Sequence, residues 1–573
     1  MPPDHASQLP LRLSVAVTGS GGSGAVTTGL GYLEAAARAG LYGLMNRSAG
    51  PQIRGGESAA MLRLGTTPVA CMDDYYDFLV GLDWLNIDRF TDEIPLNSGS
   101  RILADPDAGE LPEALTATGA QVIEAPFREQ AKTVTGGRLN MVALGTLGAA
   151  SGIPRETMQA ALRSVLGDKG EAVMSSSLAC LALGYELGSA NAPAPLPAVL
   201  EAPWNISGNE ACGLGALRGG VRFVAAYPIT PASEMLEWMA PRLEQLGGSL
   251  LQAEDELASV NMIIGASFGG VPALTATSGP GLSLMMEGLG LAVTSETPTT
   301  VVNVMRGGPS TGIPTKSEQA DLNIALFGLH GDAPHLVLAP LDIADCVFTT
   351  EWAVRLAEHL QTVAIVLSDQ SLGQSRAITP APGLRAPPLE RRRLDATPDR
   401  YHRYSLADGD VSAMSVPGQA CGMYTADGLE HNEHGTPSSR AIDHLEQMEK
   451  RSRKLHAFAY GERWAEIDGD GELCLVTWGS SAGAALEAAD RLRRGGTPTR
   501  VVALRLLMPL QRSALLDALA GASAIWVIEQ NHGGQLFHYL VSEDALPGSA
   551  RSLARPGPLP LRPGEIVTAI SEA

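Results

Sequence analysis

Gly19, Gly21 and Gly24 stand in a G-x-G-x-x-G spacing, with Gly22 between them, after an apolar run at 13–18 and before a helix-like run at 25–39. A strand, glycine turn and helix in that order can set backbone N–H groups and a helix N-terminus against a phosphate. The acid that a nicotinamide ribose needs about 20 residues further on is missing, since the next strand ends in Met45-Asn46-Arg47. The loop therefore reads as a structural turn or as a site for another nucleotide-bearing ligand. Arg54, in Arg54-Gly55-Gly56, could bind a phosphate or sit salt-bridged beside a turn. Further along, Glu254, Asp255 and Glu256 precede a helix expected at 257–268. The helix dipole favours any acid in that place, but Glu256 is followed by Ala258 and, nine residues on, by Gly265. His431 and His434 offer two metal ligands without an evident third, so an ordered contact loop is the better account and no metal is expected there. The six cysteines, at 71, 180, 212, 346, 421 and 474, include no C-x-x-C. Neither a zinc site nor a cysteine-ligated cluster follows, and free thiols in a reducing cytoplasm are the simplest account.

Elements that could position these residues are legible as alternation. The chain of 573 residues is long enough for about three to four domains. Lys and Arg number 41 against 62 Asp and Glu, a net charge of −21 that speaks against nucleic acid or an anionic membrane as partner. Aromatics at 5% leave the cores to Ala, Val, Leu and Ile. The stretch between Glu256 and Glu287 carries no charge, yet Asn261, Pro272, Gly279 and Pro280 interrupt it, which suits a buried domain centre better than a membrane span. The Met-Pro-Pro-Asp-His start lacks the basic and apolar regions of a signal peptide. The expected organisation is multidomain α/β: a glycine-loop domain over 8–190, a Pro/Ala linker at 188–197, a parallel α/β domain over 200–378, a Pro- and Arg-rich connecting arm over 379–465, and a last α/β domain over 466–565.

The Glu256 spacing resembles the pyrimidine-binding half of thiamine-diphosphate enzymes, where a Glu begins a small-residue helix that reaches a Gly at about that distance. Its neighbours narrow the resemblance. Gly208-Asn209-Glu210-Ala211, Tyr227-Pro228-Ile229-Thr230-Pro231, Thr277-Ser278-Gly279-Pro280-Gly281, Arg306-Gly307-Gly308-Pro309-Ser310-Thr311-Gly312 and Pro314-Thr315 resemble, in order, the α subunit of 2-oxoacid:ferredoxin oxidoreductases. Gly19 to Gly24 and Arg54-Gly55-Gly56 resemble that family's γ domain, fused ahead of the α part as in many 2-oxoglutarate-specific members. Asp427-Gly428-Leu429-Glu430-His431-Asn432-Glu433-His434 and Val527-Ile528-Glu529-Gln530-Asn531 look like it too.

The resemblance implies roles. Glu256 would hydrogen-bond N1′ of the cofactor's aminopyrimidine, which promotes loss of the thiazolium C2 proton. Tyr227, Pro228 and Ile229 would line the cofactor. Thr230 and Thr315 would supply hydroxyls to the substrate, and Arg306 a guanidinium to its carboxylate. Gly19, Gly21, Gly22, Gly24 and Arg54 would frame coenzyme A or an interface. The diphosphate half is absent: the sole Gly-Asp-Gly, Gly469-Asp470-Gly471, has no Asn about 25–30 residues on, where a Mg²⁺ ligand would be expected. A separate β subunit should therefore bring the diphosphate, Mg²⁺ and a [4Fe–4S] cluster, in a dimer of αβ heterodimers that passes electrons to ferredoxin. Related pyruvate or branched-chain enzymes, a non-redox transketolase-like enzyme and a non-catalytic binding subunit remain as alternatives.

Overall fold

A computed structural model of the chain describes residues 11–50, 56–85, 87–89, 91–167, 169–189, 193–395, 400–406 and 410–572. They form two compact units, one of Met1–Ser207 with Gln374–Ala381 and Arg562–Glu565, the other of Gly208–Gly373, Pro382–Leu561 and Ile566–Ala573.

In the first unit an eight-stranded mixed sheet is ordered Gln121–Glu124, Arg101–Ala104, Phe78–Gly81, Arg12–Ser20, Glu57–Gly65, Tyr42–Ala49, Arg376–Thr379 and Trp204–Ser207. Arg12–Ser20 runs parallel to Phe78–Gly81 and antiparallel to Glu57–Gly65. Residues 204–207 and most of 376–379 fall within the span 200–378 expected for the second domain. Both pair instead in this first sheet, so the expected boundaries at 190–200 and 378 move to 207 and about 374. Four-residue strands with no change in composition carry no sequence signal of which sheet they join. The helices Leu139–Ala150 and Glu171–Gly188 meet through small residues: a Cβ on Gly145 would lie 2.2 Å from the Leu181 carbonyl, and one on Gly184 2.1 Å from that of Val142.

In the second unit a seven-stranded sheet runs Leu506–Met508, Leu336–Leu338, Val363–Asp369, Thr299–Met305, Ala273–Thr277, Phe223–Ala226 and Ser249–Gln252. All but the first are parallel. Its central strands are buried on both faces, which is why they read as largely apolar runs. A five-stranded sheet holds Ala465–Asp468, Thr499–Leu504, Leu473–Trp478, Ala524–Glu529 and Arg551–Ala554. Gln319 joins these two layers: its amide nitrogen donates to the Trp478 carbonyl at 2.8 Å and its amide oxygen accepts from the Gln530 N–H at 2.7 Å. Gly469-Asp470-Gly471 connects Ala465–Asp468 to Leu473–Trp478, with Gly469 and Asp470 exposed and Gly471 buried against the backbone of Pro498 and Thr499.

The segment read as a connecting arm is tied down by charge rather than by apolar periodicity. Arg391 makes a two-pronged ion pair with Glu358, both bonds 2.8 Å, and donates to the Ser267 carbonyl at 2.6 Å. The helix Ala441–His456 docks through Lys450 and Lys454, whose Nζ atoms lie 2.9 and 3.2 Å from the two carboxylate oxygens of Glu296, all three side chains essentially inaccessible. The lysines hold the Glu296 carboxyl well below its ordinary range against the opposing effect of burial. Removing one partner of such a buried group strands the other charge, at a cost of about 3–5 kcal/mol. Glu296→Gln is therefore expected to lower the thermal midpoint markedly; an unchanged melting curve contradicts this role.

Candidate active site

The carboxyl ends of parallel strands are where ligands gather in open α/β sheets, and the motif residues stand there. Beyond Phe223–Ala226 come Tyr227 to Pro231; beyond Ser249–Gln252 come the three acids; beyond Ala273–Thr277 comes Ser278; beyond Thr299–Met305 comes Arg306.

The three acids separate into three environments. Glu254 is exposed. Asp255 caps the helix Glu256–Phe268, accepting from the Ala258 N–H at 2.7 Å. Glu256 turns inward at 6% exposure, and its carboxylate makes no hydrogen bond or ion pair among the described residues. It points at Gly281, where a Cβ would lie 2.5 Å from its Oε1 and 2.1 Å from Thr277 Oγ1. Only glycine leaves this space, and Pro280 before it sits in the first turn of the helix Gly279–Thr294. Nearby, Ser278 Oγ and Asn303 Oδ1 are buried without partners among the described residues.

Arg306 is 7% exposed, and its Nη1 donates to the Thr230 carbonyl at 2.6 Å. The turn it holds is fixed from the other side by Asn209 Nδ2, which donates to the Pro231 carbonyl at 2.9 Å. Arg306 Nε has no partner among the described residues. Its guanidinium lines a cavity of about 590 Å³ together with Gly308, Ser310, Glu318, Asp321 and His532. Beyond the strand end, the chain doubles back tightly: the Ile313 N–H donates to the Gly307 carbonyl at 2.8 Å. Burial pushes the Asp321 carboxyl up to about 6, although Asn303 Nδ2 donates to it at 2.9 Å and Arg306 attracts its charge. Burial likewise lowers the Arg306 guanidinium, with Asp321 opposing, and it remains a cation across the working range. Glu318 is raised by burial and then by the charge of Asp321.

Thr230 and Arg306 are thus brought into contact, through the threonine's carbonyl. Tyr227, at 41% exposure, and the exposed Pro228 lie at the surface with Ile229 half-buried; these three, Thr315 and Glu256 do not line the Arg306 cavity. Asp321, Glu318, Asn303 and His532 were not singled out in the sequence. The one available signal was Asn303, an amide in the largely apolar run at 299–305.

In the first unit, the glycine loop is drawn inward at its ends and open in the middle. Ser20 N–H and Oγ donate to Asp83 at 3.0 and 2.8 Å, and the Gly21 N–H donates to the Gly56 carbonyl at 2.5 Å. Gly24, at φ +96°, leaves no room for a Cβ, which would meet the Asn140 amide at 2.3 Å, whereas beside Gly22 nothing approaches within 4 Å. Gly19 packs on Leu82. Arg54 lies outside the described residues. No helix among the described residues is long and apolar enough to cross a membrane.

Residues 14–187 match the family described as pyruvate ferredoxin/flavodoxin oxidoreductase, and residues 214–451 the pyruvate flavodoxin/ferredoxin oxidoreductase, thiamine-diphosphate-binding family. The α subunit of 2-oxoacid:ferredoxin oxidoreductase 2 of Aeropyrum pernix is 34% identical over 455 residues, covering 73% of this chain and 71% of that one. The chain belongs to the 2-oxoacid:ferredoxin oxidoreductase family. The KorA subunit of 2-oxoglutarate synthase from Archaeoglobus fulgidus is 37% identical over 57% of this chain and 88% of its own. Among solved structures, the 2-oxoglutarate:ferredoxin oxidoreductase of Magnetococcus marinus, with 2-oxoglutarate, coenzyme A and succinyl-CoA bound, superposes with a TM-score of 0.89 at 34% identity, over 98% of this chain and 99% of that one. The multidomain α/β architecture read from the alternation is therefore that of this oxidoreductase family, and residues 214–451 carry its thiamine-diphosphate-binding match.

Proposed function

We propose that the chain is the fused γ–α subunit of a 2-oxoglutarate:ferredoxin oxidoreductase, active with a separate β subunit. The reaction is coenzyme A-dependent oxidative decarboxylation of 2-oxoglutarate to succinyl-CoA and CO₂, with electrons passing to ferredoxin. The observation that carries this reading is the buried carboxylate of Glu256, unpaired among the described residues and facing the space at Gly281. Glu256 and Gly281 fit the aminopyrimidine of thiamine diphosphate; among the described residues no matching diphosphate site accompanies them, since Gly469-Asp470-Gly471 is a connection between two strands with Gly471 packed against the 498–499 backbone. When bound, that cofactor supplies a carbon nucleophile and an electron sink for decarboxylation. Glu256 holds a proton at N1′. Arg306, positioned through the Thr230 carbonyl, orients the substrate carboxylate, with Thr230 and Thr315 supplying hydroxyls and the turn Tyr227-Pro228-Ile229 forming a wall of the cofactor site. The β subunit brings the diphosphate, Mg²⁺ and [4Fe–4S] cluster, the assembly is a dimer of αβ heterodimers in the cytoplasm, and the glycine loop with Arg54 borders the coenzyme A entrance.

Asp321 gives this site a pH dependence with a defined sign. Below about pH 6 its carboxyl is neutral and the Arg306 charge acts on the substrate undiminished; above that it becomes an anion beside the guanidinium. The expected result is that kcat/KM for a 2-oxoacid falls as pH rises through about 6, and that Asp321→Asn removes this inflection. An identical profile in both proteins contradicts the assignment.

The substrate is tested with the reconstituted αβ complex on a panel of 2-oxoacids, following viologen reduction. The highest kcat/KM is expected with 2-oxoglutarate. Preference for pyruvate or a branched-chain acid reassigns the substrate, and turnover without viologen reduction favours the transketolase-like alternative.

A further inference from the structure

The motif running from Asp427 to His434 has no part in the chemistry above, and in the structure its two histidines part. His431 is buried, its ring stacked on Tyr404 with centroids 3.7 Å apart, its Nδ1 beside the Asn432 carbonyl and its Nε2 beside that of Thr294. His434 faces outward and meets a histidine from a distant part of the arm: the His402 ring stands edge-on to it with centroids 4.0 Å apart. The Glu433 carboxylate joins them, so that one ligand atom from each of the three residues lies within 4.8 Å of the other two. His402 Nε2 is buried with no hydrogen-bond partner among the described residues, a condition that costs free energy unless something binds there.

We propose that His402, Glu433 and His434 bind one divalent transition-metal ion, Zn²⁺ foremost. Two imidazole nitrogens and one carboxylate oxygen suit Zn²⁺, Ni²⁺ or Cu²⁺, whereas Mg²⁺ and Ca²⁺ select oxygen ligands. Zn²⁺ sits about 2.0–2.2 Å from such atoms; the outward-facing His434 can close the remaining gap by side-chain rotation. The backbone beneath is already set. The Tyr404 N–H donates to the Glu433 carbonyl at 3.2 Å, joining the two ligand-bearing segments. Asn432 Oδ1 accepts from the N–H groups of His434 and Thr436 at 3.0 and 3.2 Å. Arg403, next to His402, is fully buried and donates to the Glu296 carbonyl at 2.8 Å. Three protein ligands leave a fourth tetrahedral position for water or an incoming group. In sequence the site was hidden because its first ligand lies far from the other two.

The test uses the full chain, stripped with a chelator and titrated with Zn²⁺ by calorimetry, with Co²⁺ as a spectroscopic substitute. One equivalent of Zn²⁺ is expected to bind, and Co²⁺ to give a visible ligand-field band. His434→Gln and Glu433→Gln should each weaken binding at least about tenfold and diminish that band, with far-ultraviolet circular dichroism unchanged. His444→Gln, an exposed histidine paired with Glu430, should bind as the parent does. Absence of stoichiometric binding overturns the proposal, as does binding that survives both substitutions or is lost equally in His444→Gln.

Discussion

Glu256→Gln is expected to cut the turnover of the assembled αβ complex by about 10²–10⁴-fold, the usual worth of a positioned acid or base. The amide keeps the size of the side chain and suits the same space beside Gly281, so the complex should assemble and the helix Glu256–Phe268 should persist. What the amide cannot do is hold an exchangeable acid proton at N1′. The neighbouring acids are internal controls. Glu254→Gln changes an exposed residue and should leave turnover nearly intact. Asp255→Ala removes the side chain that accepts from the Ala258 N–H, and should cost roughly 1 kcal/mol of stability with little effect on chemistry. Steady-state kinetics on the three variants check this ordering; a crippled Glu254→Gln beside a mild Glu256→Gln places the catalytic acid elsewhere.

Arg306→Ala should lower kcat/KM for 2-oxoglutarate by about 30- to 5,000-fold, the range for losing one partner of a buried carboxylate pair. The substrate is an anion and the chain carries a net charge of −21, so a local cation is required where it binds. Arg306→Lys should recover only part of the loss. One prong of the guanidinium is already committed to the Thr230 carbonyl, and a single ammonium cannot brace that turn and meet a planar carboxylate together. Thiamine diphosphate content, measured by fluorescence, should stay unchanged, since in the proposed assembly the cofactor is held by Glu256 and the β subunit and not by Arg306. Unchanged kcat/KM in Arg306→Ala removes the residue from the substrate site.

The parallel sheet of the second unit was legible because buried parallel strands read as apolar runs; 299–305 and 362–367 stood out for that reason. The exposure pattern of 254–256 agrees with the helix start inferred from spacing, and Arg306 was legible as a cation leaving an apolar strand at its carboxyl end. What was not legible depends on long-range pairing. Leu506–Met508 joins a sheet whose other strands lie far upstream, and Arg376–Thr379 crosses to the first sheet. Asp321 gained its raised carboxyl only from the burial that folding imposes, and His532 reaches the Arg306 cavity from the last α/β segment. The arm read as a linker because its anchors, Arg391, Arg403, Lys450 and Lys454, are charged residues that sequence patterning assigns to solvent.

The most direct measurement of the central claim is anaerobic, 2-oxoglutarate- and coenzyme A-dependent viologen reduction by this chain alone, by the β subunit alone and by the two mixed, together with the visible spectrum of each. The account predicts a colourless, inactive chain, an iron–sulfur chromophore that belongs to the β subunit, and turnover only in the mixture. A stoichiometric iron–sulfur spectrum or viologen reduction from this chain alone contradicts it.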